Sequence, residues 1–168
     1  MSAKNMRTDR FEITSASESH YDGILELFTT PDEFYLIYPS GIWPFDRSQL
    51  ERLARERSDF TVVLDSKQVI GFANLYTSIA SDRYFIGNLV ISDAYRGQGI
   101  GRRLVRYMCD RIFDRYASTV YISVFTDNTP ALLLYASLGF MPFDIERRTT
   151  PKGDSAALLH MRLDARSW

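Results

Sequence analysis

With one cysteine, Cys109, in 168 residues, the chain has no partner for an intramolecular disulfide, and this fits a reducing, cytoplasmic setting. Histidine is almost as scarce. His20 and His160 stand far from each other and from Cys109, so no metal-ligating cluster is spelled out and no metal is expected. No apolar run approaches the roughly eighteen residues that a spanning helix needs. Met1 to Arg10 is polar and lacks the apolar stretch of a signal peptide. No membrane association is expected. An excess of charge is missing too: 20 basic residues stand against 21 acidic ones, which leaves no overall footprint for nucleic acid. There is no repeat, linker or low-complexity tract. The expectation is a single domain over 1–168, with a flexible tail over 1–9 and enough length for a sizeable core.

What the chain does have is concentrated between Tyr84 and Ile112. An apolar, β-branched run from Phe85 to Ile91 passes through Ser92-Asp93-Ala94-Tyr95 into a helix. Gly97, Gly99 and Gly101 stand at its entrance. Glycine inside a helix costs about 1 kcal/mol relative to alanine, but it lets backbone N–H groups approach a ligand without interference from Cβ. Arg96, Arg102, Arg103 and Arg106 crowd the same region, where the helix dipole would favour acidic residues. An anion bound at the helix N-terminus, a phosphate or pyrophosphate, accounts for both anomalies.

Spacing separates the rivals. A dinucleotide fingerprint beginning at Gly97 needs glycine at 102, where Arg102 stands, and the Gly-Lys-Ser/Thr of a triphosphatase loop is absent. The pattern present is R-x-x-G-x-G, Arg96 to Gly101, directly after an apolar strand. A second segment runs N-T-P-A-L-L-L-Y-A-S-L-G-F from Asn128 to Phe140. Seven residues make about two helical turns, so Asn128 and Tyr135 can face one groove. On these two motifs the chain resembles the GCN5-related N-acetyltransferase (GNAT) family, which binds acetyl-coenzyme A with the first and carries N-x-x-A-x-x-x-Y-x-x-x-G-F as the second.

The remaining elements agree with that resemblance. A strand at Phe11 to Thr14 precedes a helix with Tyr21, Ile24, Leu25 and Phe28 on one face. An irregular aromatic stretch follows over 30–45, and Asp46 caps a helix to about Arg57. Strands are expected at 60–64, 69–78, 84–91, 119–125, 143–148 and 156–163, with Gly71 at a bulge. A short helix from Pro130 has Thr129 as its N-cap and Gly139 just past its end. The expectation is an α/β fold: a mixed sheet of six to seven strands, splayed in the middle, with about four helices.

The resemblance implies a division of labour. Backbone N–H groups at Leu89, Val90 and Ile91 would hold the pantetheine arm and thioester, with a bulge at Gly87-Asn88. The turn Arg96, Gly97, Gln98, Gly99, Ile100, Gly101 and Arg102 would wrap the pyrophosphate. Asn128 would contact the coenzyme, and Tyr135 would line its site and protonate the departing thiolate. Taken alone, the arginines read as a solvated face and Tyr135 as core. The pairing of motifs decides otherwise.

No carboxylate lies in 84–91 or 119–125. The closing segments also resemble those of ribosomal-protein alanine N-acetyltransferases, which place a Glu where Ser123 stands. Asp32 and Glu33 are the nearest candidates, with Glu33 taken as the base and Asn88 ordering a water; His20 and His160 are the other options. The acceptor site is expected between the first two helices, where Asp32 and Glu33 sit beside Phe34, Tyr38 and Trp43 and suit a cationic or aromatic amine. The acceptor would be a small-molecule or peptide amine and the protein a monomer or homodimer. A non-catalytic acyl-coenzyme A sensor is the alternative reading.

Overall fold

A computed structural model of the chain describes residues 10–78 and 82–168. The tail expected over 1–9, and Ser81 of the expected turn, lie outside the described residues. The elements are β1 (Phe11–Ser15), α1 (Tyr21–Glu26), α2 (Pro31–Ile37), α3 (Arg47–Glu56), β2 (Ser58–Asp65), β3 (Gln68–Thr77), β4 (Tyr84–Ile91), α4 (Ile100–Arg115), β5 (Thr119–Phe125), α5 (Thr129–Ser137), β6 (Met141–Thr149) and β7 (Ser155–Asp164). Seven strands form one open sheet in the order β1-β2-β3-β4-β5-β7-β6. Only β4 and β5 run parallel.

Among the described residues five α-helices stand where about four were expected. The difference is α2, in the stretch read as irregular. Thr30 Oγ1 accepts from Glu33 N at 3.3 Å, and Pro31 occupies the first helical position. Both satisfy the end of a helix; the density of aromatic residues hid that signal. At α5 the cap is Asn128 rather than Thr129: Asn128 Oδ1 accepts from Ala131 N at 3.4 Å. An amide acceptor serves the same orphan donor as a hydroxyl.

The sheet is covered on both faces. Neighbouring strand residues alternate between two cores: Val63 and Ala73 pack with Leu104, Val105, Met108 and Ile112 of α4, whereas Val62 and Phe72 pack with Ile24 of α1 and Leu50 and Leu53 of α3. Burying one such leucine contributes about 2 kcal/mol. With both faces covered, residues 61–64 of β2 and 69–75 of β3 are buried without interruption.

The feature that positions the site is a split between β4 and β5. They pair at Tyr84–Val120, Phe85–Tyr121 and Ile86–Ile122 and no further. On its other edge β4 carries a bulge. Phe72 faces Val90 and Asn74 faces Gly87, so Asn88 and Leu89 together oppose Ala73. Asn88 takes φ +49°, a left-handed conformation for which asparagine is enriched. The bulge bends β4 away from β5, where the sequence placed it.

Candidate active site

Two cavities open from the split. The larger, about 670 Å³, runs from Leu89, Val90 and Ile91 down to the entrance of α4 and across to Asn128, Ala131 and Leu134. It collects most of the residues expected to bind a coenzyme, including Arg96, Gly97, Gly99, Ile100, Gly101 and Arg102. Gln98 and Tyr135 are not among its walls.

Gly97 and Gly99 adopt φ +75° and +78°, which only glycine takes without steric cost. A Cβ at either would meet nothing within 4 Å, so the space above the turn is open. Gly99 caps α4 with no side chain, and no acidic residue stands in the first turn. The opening N–H groups of this 16-residue helix therefore have no side-chain cap, and the residues that carry them border the cavity. These residues fit a pyrophosphate.

The arginines are more constrained than the sequence suggested. Arg96 donates through Nε to Ile91 O at 3.0 Å, pairs with Asp93 through Nη1 at 2.7 Å, and pairs with Glu33 through Nη2. It ties the loop after β4 to α2. Arg102 Nη2 donates to Ser137 Oγ at 2.7 Å.

This geometry corrects the expectation for Glu33. Its carboxylate is held by Arg96 in the larger cavity and does not line the space around Tyr135. Asn88 is largely committed to its own network and makes no bond to Glu33. Asn88 Oδ1 accepts from Arg57 Nη1 at 2.7 Å and from Asn74 Nδ2 at 2.8 Å, while Asn88 Nδ2 donates to Ile37 O at 3.1 Å. The expected acceptor site dissolves as well. Phe34 and Tyr38 are 2% and 4% exposed, within an aromatic cluster with Phe28 and Phe45. Trp43 packs on Phe34. None of the three lines either of these two cavities. Asp32 reaches the larger cavity and pairs with Lys152 at 2.8 Å. The aromatic residues were needed to fasten α2 and α3 over the sheet.

The smaller cavity, about 340 Å³, lies on the other side of the split. Leu36, Ile37, Leu89 and Asn128 line both cavities, so they meet at the bulge. Tyr135 lines the smaller one, and its hydroxyl bonds no other described residue. Burial pushes its phenol above the ordinary range. Across from it stands an assembly that the sequence did not reveal. Ser123 on β5 faces His160 on β7 in register, with Oγ–Nδ1 at 2.7 Å. His160 Nε2 meets Glu146 Oε2 of β6 at 3.1 Å, and Arg148 Nε donates to Glu146 Oε1 at 2.6 Å. Arg57 closes the far wall above the Tyr76 ring, 4.3 Å from its centroid. His20 lies elsewhere, capping the turn at Ser17.

A split parallel strand pair, a bulge and a glycine-opened helix together define an N-acetyltransferase fold. The sequence model of the Acetyltransferase (GNAT) family matches residues 21–140, and the chain belongs to that family. It is 32% identical over 130 residues to the [Ribosomal protein bS18]-alanine N-acetyltransferase of Escherichia coli K12, covering 77% of this chain and 86% of the relative. Over 65 residues it is 45% identical to the N-alpha-acetyltransferase RimI of Mycobacterium tuberculosis, 39% of either chain. Among solved structures, the yncA acetyltransferase of Salmonella typhimurium, with its cofactor acetyl-CoA, aligns with TM-score 0.71 at 18% identity over 92% of this chain and 94% of that one. The smu.2055 protein of Streptococcus mutans aligns at TM-score 0.77 and 20% identity, over 92% and 99% of the two chains. Among the described residues, no helix is long and apolar enough to cross a membrane.

Proposed function

We propose that the chain transfers the acetyl group of acetyl-coenzyme A to a primary amine, in a small molecule or at a peptide N-terminus, by direct attack on the thioester. One observation carries this reading: the coenzyme-sized cavity and the smaller one meet at the β4 bulge, with an unpartnered tyrosine hydroxyl on one side and a histidine relay on the other. When bound, the coenzyme supplies an activated acyl group and a thiolate leaving group. Gly97 to Arg102 would hold its pyrophosphate through backbone N–H groups and the helix dipole. The edge of β4 freed by the split would hold the pantetheine, as an added strand does. Asn128 keeps its amide N–H groups available, since only its Oδ1 is spent on the cap.

The base role passes from Glu33 to the relay. With Glu146 accepting from Nε2–H of His160, the hydrogen-bond pattern makes Nδ1 an acceptor for the Ser123 hydroxyl. Ser123 Oγ can then accept an N–H from the attacking amine and pass a proton to His160. Ser123 occupies the place where the ribosomal-protein acetyltransferases carry Glu, and the relay restores what that substitution removes.

Tyr135 would donate its proton to the thiolate. A buried phenol is a weak acid, but the same desolvation strengthens a thiolate as a base. Incubation with acetyl-coenzyme A and a panel of amines, monitoring free thiol, tests the function. Thiol release that depends on an amine supports it; saturable coenzyme binding with no release for any amine would point to an acyl-coenzyme A sensor.

A further inference from the structure

The walls of the smaller cavity carry Arg57, Arg148 and His160 and not one carboxylate. Arg148 is neutralised by Glu146 at 2.6 Å. No Asp or Glu of the described residues forms an ion pair with Arg57; desolvation by burial pushes its guanidinium below the ordinary value, and the charge of its exposed chain neighbour Glu56 only partly opposes that. Burying a guanidinium without a counter-charge is costly, and this cation stands next to the reaction centre: its Nη1 donates to Asn88 Oδ1, at the bulge beside Leu89.

The inventory of its donors sharpens the point. A guanidinium has five N–H groups. Nη1 spends both of its own, on Asn88 at 2.7 Å and Asn74 at 3.1 Å. Nε and Nη2 bond nothing among the described residues. No buried side-chain nitrogen there lacks a partner, so these atoms reach open space, and Arg57 lines this cavity. Pinning two asparagine oxygens would need only neutral donors. A charge held among Tyr38, Tyr76 and two amides calls for something more.

We propose that the acceptor is a small primary amine bearing a carboxylate, an amino acid in the chemical sense, with the carboxylate seated on the free N–H groups of Arg57 and the amine turned toward Ser123 and the thioester. This rests on the acetyl-transfer reading of the same site and narrows its acceptor. It also reverses the expectation of a cationic acceptor held by Asp32 and Glu33. An unpaired positive charge repels polyamines and lowers the pKa of an arriving ammonium group, which favours the neutral, nucleophilic amine. At 340 Å³ the cavity is near the lower end for ligand sites, about 300–1,000 Å³, and the acyl end of the coenzyme must share it. A peptide carrying no negative charge near its N-terminus leaves Arg57 unanswered.

The test uses the full chain with saturating acetyl-coenzyme A and reads thiol release. L-Alanine, L-serine, L-methionine and L-glutamate are each compared with their amides, with a C-terminally amidated tripeptide of the same first residue, and with spermidine. The expected result is a kcat/KM for the best amino acid about 10- to 100-fold above that of its amide, carried mainly by KM. Arg57→Gln should erase that preference while coenzyme affinity persists. Because Arg57→Gln also loosens Asn74 and Asn88, a second measurement avoids the variant. Calorimetry of the wild-type complex with coenzyme A should show the N-acetyl amino acids binding at least tenfold tighter than their N-acetyl amides. Amides, amidated tripeptides or spermidine turning over as well as the free amino acids would overturn the proposal and leave acetyl transfer intact. Absence of thiol release with every amine would remove the enzymatic reading, and product binding would then decide whether Arg57 selects a carboxylate.

Discussion

Replacing Tyr135 by phenylalanine isolates the proposed acid. The ring is 4% exposed and packs 6.0 Å from Phe140, contacts that phenylalanine keeps. The hydroxyl bonds no other described residue, so its loss should change stability by less than about 0.5 kcal/mol. Coenzyme affinity should also hold, because Tyr135 borders the smaller cavity and not the larger one. The whole effect should therefore appear in turnover. Positioned proton transfer contributes about 10²- to 10⁴-fold, and a fall in kcat near the lower end, roughly 2.7 kcal/mol, is the expectation. Thiol release at saturating acceptor gives kcat, calorimetry gives the coenzyme Kd, and thermal unfolding checks the fold. The raised phenol adds a signature: the wild type should show no alkaline fall in kcat up to about pH 10, since burial keeps the proton in place. A Tyr135→Phe enzyme within about threefold of wild type would remove Tyr135 from the acid role.

Three further outcomes are expected. His160→Gln should lower kcat about 100-fold with coenzyme affinity retained, and Ser123→Ala should lower it as well; wild-type turnover in His160→Gln would exclude the relay. Gly99→Ala places a Cβ at φ +78° in open space, a strain of about 1–2 kcal/mol; acetyl-coenzyme A should bind roughly tenfold more weakly, as calorimetry would show. Asp59, with a 5% exposed side chain, feels a desolvation that raises its pKa, but hydrogen bonds from Arg111 and Tyr116 outweigh it and hold it below the ordinary value. A depressed carboxylate stabilises the fold above its unfolded pKa of about 3.9, and that contribution is lost as pH falls through the folded value. Asp59→Asn should therefore cost about 2 kcal/mol at pH 7, with the gap to wild type closing below pH 4 in denaturant titrations.

The grouping of residues around the larger cavity was legible because it is local. A run from β4 through three glycines to α4 puts strand edge, turn and helix end along one cavity. The spacing of Asn128 and Tyr135 was legible for the same reason, since both belong to α5 and its cap. The walls of the smaller cavity were not, because they are assembled across strands. Ser123, His160 and Glu146 come from β5, β7 and β6, and they meet only through the registers Ser123–His160 and Glu146–Leu158. The hairpin turn at Pro151 to Gly153 contained part of that register, since pairing outward from Thr149 and Ser155 brings Glu146 diagonal to His160. Nothing local announced Arg57, the last residue before β2, as a wall of the same cavity. The aromatic stretch misled for a physical reason: large rings next to carboxylates suit a binding site and a helix-to-sheet seam equally, and here Phe34 and Tyr38 form the seam.

The most direct test of the central claim is the structure of the protein with coenzyme A bound. The account predicts the pyrophosphate on the backbone N–H groups of Gly97 to Arg102, the pantetheine along Leu89 to Ile91, and the sulfur where the two cavities meet, within reach of the Tyr135 hydroxyl. Coenzyme seated elsewhere on the chain, or a sulfur on the side of the split away from Tyr135, would contradict it.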